Sequence, residues 1–440
     1  MLTIYTSSEQ TRRLQFVAEH LFNHILGIDF QLTNDKNFYL SQSKNQIWYT
    51  EEKPETGLHI VPAGLLSETG IHPIDDLKMA EFRNLFCFFY SGNGDIPFDL
   101  FSATFYLLSL YEEYLPSEPD EHGRFRHQNS LLFQNQVLEI PVIDRWAYFL
   151  MDELIRLGAE NSDFALRKFR LLSTYDIDHP YLYRYKGFLK NGFGFLRDFL
   201  KRDYPKMKER FLCIVRKTQD PYFQAIEKIL ALQNKLQKKG FLFVLLGPKG
   251  RLGRSVIYRT VDYYCYLQTL KNATIGLHPS YDTLHHLNIL EKEKVQLEKI
   301  SGRNVNISRQ HFLRMQTPET FRDLVASGFC EDFTLTFAHA PGFRSGTAVP
   351  HLFFDLQKNE TLELLLHPTI IMDSTFIFHQ KLSPEKVEKK IKILIDECKK
   401  SGGDFLSLWH NSNLAGSSDE NPWINVFIRT TEYAISVENL

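Results

Sequence analysis

From residue 169 onward, short apolar runs with strand character alternate with longer runs of helical spacing, and this order restricts the possible folds more than any other feature. Strand-like runs cover 169–175, 241–246, 274–277, 305–308, 333–337 and 404–409. Helical ones cover 221–238, 284–300, 318–326 and 383–400. A helix between successive strands implies crossover connections, hence a parallel sheet, either open or closed into a barrel. In both forms reactive side chains collect at the carboxyl ends of the strands.

The first part of the chain is patterned differently. Leu14, Val17, Ala18, Leu21, Phe22 and Ile25 recur at helical spacing, and short alternating runs at 38–40 and 46–49 follow. Further helices are expected over 100–110 and 144–157, and a turn at 158–163 ends the pattern. The expectation is a smaller α+β domain over residues 1–165, then an α/β domain over 166–440.

Charge excludes some partners. Fifty-one Lys and Arg against 53 Asp and Glu leave no global field for nucleic acid or an anionic membrane. One segment departs from this balance: 184–217, between the first strand and its helix, holds eleven Lys and Arg against three acids, with Phe188, Phe193, Phe195 and Phe199 interleaved. Such a stretch suits peripheral contact with a membrane surface or an anionic ligand. The plainer reading is an amphipathic insertion packing its Phe side on the barrel.

Cys87, Cys213, Cys265, Cys330 and Cys398 are scattered, without a CxxC pair, and read as reduced, buried thiols. With neither a signal-like start nor a long apolar run, a cytoplasmic location is expected.

Three strand-end clusters carry candidate chemistry. In Ser173-Thr174-Tyr175-Asp176-Ile177-Asp178-His179-Pro180, alternation puts Thr174, Asp176 and Asp178 on one face. Two carboxylates sharing a pocket need a cation or proton between them, which suggests a metal ligand beside a general base; helix caps or turn formers are the competing reading. In Gly276-Leu277-His278-Pro279-Ser280-Tyr281-Asp282, His278 offers an imidazole, and Asp282 reaches the same ion if a helical turn starts at Pro279. A hydrogen-bonded structural His is the alternative. In Ser407-Leu408-Trp409-His410-Asn411, His410 ends an apolar strand and suits a protected general acid or an ordinary core His. Arg309 and Arg344 lie in loops where either could hold a carboxylate or make an ordinary ion pair.

Taken in order, TYDIDHP, GLHPSY, SRQHFL, GFRSGT and LWHN resemble the NodB-homology polysaccharide deacetylases of carbohydrate esterase family 4, over about residues 169–440. The likeness extends to a branch common in Bacteroidetes in which an uncharacterised domain precedes the catalytic one; IPFDLF, YEEY and PVIDRW resemble that domain. The resemblance implies a distorted (β/α) barrel of seven or eight strands, with one divalent metal, zinc or alternatively cobalt or another transition metal, removing N-acetyl groups from an amino sugar in a glycan or glycan precursor. It implies Asp176 as base, Asp178 and His278 as metal ligands, Arg309 orienting the base and His410 as acid. Leu408, Trp409 and Arg344 are the expected substrate contacts.

The family's metal motif has a second His where this chain has Asp282. An Asp178–His278–Asp282 site is therefore expected, harder and more anionic than one with two His. Alternatives are a site without metal, either a glycan-binding member of the same fold or a metal-free amide or cyclic-imide hydrolase.

Overall fold

A computed structural model describes the chain apart from residues 8, 43, 75–76, 248–265, 268–269, 271–272 and 440. Leu2 and Ile4 are buried in β1 (Leu2–Thr6), which pairs in parallel with β2 (Phe30–Thr33) and β3 (Gln46–Tyr49); β3 pairs in parallel with β4 (Leu58–Ile60). Parallel neighbours need crossovers. The first is the helix Arg12–Ala18, capped by the Thr11 hydroxyl and continuing as a π-helical stretch, Glu19–Leu26. The second is Lys36–Ser41, so the alternation at 38–40 is helical rather than extended. The Asp35 carboxylate accepts from the Asn37 and Phe38 amides, and a three-residue apolar pattern is too short to resist that cap. An antiparallel ribbon, β5 (Ala80–Phe82) with β6 (Leu85–Cys87), and the helices Leu100–Leu108 and Val142–Arg156 complete this part.

The rest is built on one curled sheet of nine strands. They are β7 (Arg170–Ile177), β8 (Phe241–Leu245), β9 (Thr274–His278), β10 (Ile307–Ser308), β11 (Glu331–Asp332), β12 (His351–Asp355), β13 (Glu360–Leu366), β14 (Ile371–Met372) and β15 (Asp404–His410). Their spatial order is β12-β13-β11-β10-β9-β8-β7-β15-β14. Among the described residues only β12, in a hairpin with β13, runs antiparallel; the other eight strands are mutually parallel. This is the parallel α/β sheet expected from the alternation, curled in the distorted, barrel-like way that the resemblance implies. The hairpin was not anticipated.

Alternation along each strand sorts the side chains. Leu171, Tyr175 and Ile177 of β7 face the helices, in a core shared with Trp409 and Phe427. Leu172 packs inside with Phe241, Phe243, Ile307, Phe333 and Leu406. The Phe243 and Phe333 rings meet at 5.2 Å although two strands separate β8 from β11, so the sheet curls around them. Gly276 permits this plug, since a Cβ there would lie 2.6 Å from the Phe243 ring.

The run 333–337 is not a strand. Pairing stops at Asp332, whose carboxylate accepts from the Thr334 amide and from the Thr334 and Ser308 hydroxyls. A side chain that captures the next backbone donor ends the ladder, and the apolar character of 333–337 reflects burial alone. Phe337, Ala340, Val349, Phe354 and Leu356 join the N-terminal core, where Phe354 packs on Phe16 and Phe105.

The segment 184–217 forms the helices Gly187–Leu200 and Tyr204–Ile214. Its Phe side does not pack on the barrel: Phe188, Phe193 and Phe199 are 93%, 72% and 56% exposed. Cys87, Cys213 and Cys398 are buried free thiols, Cys330 is exposed, contrary to expectation, and Cys265 lies outside the described residues. Among the described residues no helix is long and apolar enough to cross a membrane.

Candidate active site

The interior face of β7 changes from apolar to polar at its carboxyl end. Above the plug, Arg309 is fully buried, its guanidinium 4.6 Å from the centre of the Phe243 ring. Nη1 donates to Asp176 Oδ1 (3.0 Å) and Thr174 Oγ1 (2.7 Å), Nε to the Phe333 carbonyl (2.9 Å) and Nη2 to Thr369 Oγ1 (3.2 Å). Four fixed acceptors leave the guanidinium one orientation. Asp176, itself 2% exposed, is thereby aimed.

Asp178 lies just past the end of β7. His278 Nε2 is 3.3 Å from Asp178 Oδ1 and 3.6 Å from Asp176 Oδ2. Its Nδ1 lies 2.6 Å from the Arg309 carbonyl, which can only accept, so Nδ1 carries a proton and Nε2 is turned toward the carboxylates. The third donor is His311, whose Nε2 lies 3.8 Å from Asp178 Oδ1. Donor atoms of Asp178, His278 and His311 all lie within 4.8 Å of one another.

His311 takes the place expected of Asp282. Asp282 sits exposed on the short turn Tyr281–Thr283 and does not join the cluster. The helical turn does not begin at Pro279: Ser280 has extended backbone, its amide donates to Glu293, and the turn starts only at Tyr281. The loop after Arg309 is tightly bent instead: Phe312 and Leu313 both have left-handed φ, 61° and 51°. The His311 amide is tied to the Pro279 carbonyl.

The electrostatics suit a cation. Burial opposes ionisation of Asp178, but His278, His311 and His410 outweigh it and hold the carboxyl below its usual range. Burial likewise works against an imidazolium at His278, and Asp176 and Asp178 overcome it, raising its pKa. His311 is lowered to about 4, chiefly by burial, and stays neutral. Asp178 Oδ1 is buried without a hydrogen-bond partner. One carboxylate and two imidazoles with an unsatisfied oxygen at their centre fit a divalent transition metal with an open position for water.

On the neighbouring strand, His410 aligns with Asp176 in the β15–β7 register. The buried Asp373, directly after β14, accepts from His410 Nδ1 (2.7 Å) through Oδ1 and from the His410 amide (2.8 Å) and Asn413 Nδ2 (2.9 Å) through Oδ2. Burial alone would lower the His410 pKa; Asp373 first, then Asp178 and Asp176, raise it to about 10. Nδ1 is held by Asp373, so Nε2 is the proton available to a ligand.

These groups line a cavity of about 170 Å³ with Leu313, Ala338, Met372 and Arg124. Arg124 comes from the N-terminal 165 residues and is fixed by Asp120 and the Phe312 carbonyl. Leu408 is fully buried behind the wall, against Leu313, Ala338 and Met372. Trp409 and Arg344, both expected substrate contacts, do not line this cavity, although Arg344 lines an adjoining one of about 280 Å³ that shares Arg124, Leu313 and Ala338 with it. Trp409 points to the opposite face of β15 and packs on Phe427 at 5.2 Å, and Arg344 is pinned to Glu113 (2.7 Å) and the Thr336 carbonyl. His311 and Asp373 escaped the sequence reading. An Asp directly after the apolar run 370–372 was the available signal for the second.

Residues 2–158 match a family of unknown function, DUF7033. No curated protein matches the chain. Among solved structures, a Mycobacterium smegmatis protein described as a polysaccharide deacetylase is similar over 61% of this chain and 84% of its own, at 14% identity and a TM-score of 0.39. The Puue allantoinase is similar over 61% and 84%, at 13% and 0.38, and a CE4 family pseudoenzyme from Bacillus anthracis over 62% and 68%, at 10% and 0.30.

Proposed function

We propose that this chain is a metal-dependent hydrolase that removes N-acetyl groups from an amino sugar in a glycan or glycan precursor. The observation that carries the reading is that an arginine-oriented carboxylate, Asp176, and an Asp373-backed imidazole, His410, line one cavity with the Asp178–His278–His311 donor cluster. Bound there, a divalent cation such as zinc supplies Lewis acidity and a water of lowered pKa.

The chain's own groups do the rest. Asp176 accepts a proton from the attacking water as its oxygen bonds to the acetyl carbon. His410 Nε2 delivers a proton to the amide nitrogen as the C–N bond breaks, leaving acetate and a free amine. Asp373 keeps that imidazole charged and oriented until transfer. Leu313, Ala338 and Met372 form an apolar wall for a small acyl group, and about 170 Å³ leaves most of a glycan outside the cavity. The amino-sugar class comes from the motif resemblance; the hydrolytic chemistry comes from the site.

The test is acetate release by purified protein with added zinc or cobalt from a panel of N-acetylated sugars, free, nucleotide-linked and lipid-linked. Release that stops on chelation and returns with metal is expected. No release across the panel, with metal bound, would overturn the reading.

A further inference from the structure

The helical pair formed by Gly187–Leu200 and Tyr204–Ile214 is held together from inside by charge rather than by an apolar core. Asp198 (2% exposed) accepts from Arg210 Nε and Nη2 and from Arg197, the Arg210 guanidinium covers the Tyr183 ring at 4.6 Å, and Tyr183 donates to Glu209 (2.7 Å). Asp198 is the one buried residue of the first helix. Its large apolar side chains point outward.

At 100° per residue, Phe188, Leu189, Phe193, Leu196, Phe199 and Leu200 fall within an arc of about 140°. All are more than half exposed. Lys186, Lys190, Arg197 and Lys201 lie along one edge of that arc, and Tyr204, Phe211, Ile214 and Val215 add exposed apolar surface from the second helix. Beside them a cavity of about 500 Å³ is lined by Lys186, Lys190, Arg197, Lys206 and Arg210, with no carboxylate among its lining residues.

We infer that this hairpin docks the protein on an anionic lipid bilayer, its apolar arc entering the headgroup boundary and its lysines, with the basic cavity, taking lipid phosphates. An uncovered apolar stripe edged by cations is the arrangement of an interfacial helix. A second copy of the chain is a poor occupant, because two such segments, each with eleven Lys and Arg against three acids over 184–217, repel. The hairpin follows directly on β7, so docking would bring the end of the sheet that carries Asp176 toward the membrane.

The test is flotation of the full chain with vesicles of phosphatidylcholine alone and of phosphatidylcholine with phosphatidylglycerol. Wild type should bind the anionic vesicles and release with salt. Phe188→Ser with Phe193→Ser should weaken binding at least about tenfold, and Lys186→Gln with Lys190→Gln and Lys206→Gln by roughly fivefold per charge. Unchanged thermal melts show that the variants are folded. No binding, equal binding to neutral vesicles, or variants that bind like wild type would overturn the inference. So would a wild-type oligomer that Phe188→Ser with Phe193→Ser turns into a monomer. None of these readouts uses acetate release, so the docking surface and the hydrolase reading fail separately.

Discussion

His311 Nε2 lies 3.8 Å from Asp178 Oδ1, closing a three-donor cluster that Asp282, exposed on its own turn, does not enter. Zinc titration should therefore separate the two residues. Asp282→Ala should leave affinity unchanged, whereas His311→Ala should lose on the order of a hundredfold or more, beyond the loss typical of a residue that only supports a ligand. The reverse order would place the metal elsewhere.

Asp373 sets the charge of His410. Asp373→Asn should cut turnover by about 10²–10⁴-fold, as when the carboxylate behind a catalytic imidazole becomes an amide. In wild type the alkaline limb of the rate profile reflects loss of the His410 proton, whose pKa is raised to about 10. Without Asp373 that limb should move to lower pH.

The same shift has a consequence for stability. A group whose folded pKa lies above its unfolded value, about 6.5 for His, stabilises the fold fully below 6.5 and loses that contribution as pH rises toward 10. Denaturation of the metal-free protein between pH 6 and about 10 should show this decline. Asp373→Asn should flatten it.

Asp176 and Arg309 should separate by fold as well as by rate. Asp176→Asn should lower turnover by roughly 10²-fold or more and retain metal. Arg309→Met removes one partner of a buried ion pair, so it should cost about 3–5 kcal/mol in a denaturant melt in addition to activity. If Arg309→Met melts like wild type, the ion pair has no structural weight.

Trp409 belongs to the helix-facing core. Trp409→Ala should destabilise the fold by about 3–5 kcal/mol, the usual loss for a buried aromatic. Trp409→Phe, milder in volume, should keep KM near wild type. A raised KM with unchanged stability would return Trp409 to the substrate site.

How far the sequence reaches is clearest at these positions. Period-two alternation in 170–177 and 404–410 put Asp176 and His410 at strand ends facing one way, because a strand side chain's direction follows from its own backbone. The helices between the strands required parallel neighbours, and the curled sheet followed. His278 was legible as a polar residue closing a short apolar run, whereas Arg309, which follows a two-residue strand, drew its role from the motif resemblance alone. The third donor was not. Placing Asp282 in the cluster assumed a helical turn starting at Pro279, and the Ser280 amide is drawn to Glu293 instead, while two left-handed residues bend His311 inward. Asp373 follows a two-residue strand, too short for periodicity to show. In 184–217 the pattern showed that one face is apolar but not what covers it, and only the Asp198–Arg210 pair inside the hairpin turned that face outward. Local pattern determines where a side chain points along its own element; which distant side chain it meets is decided by packing of the whole chain.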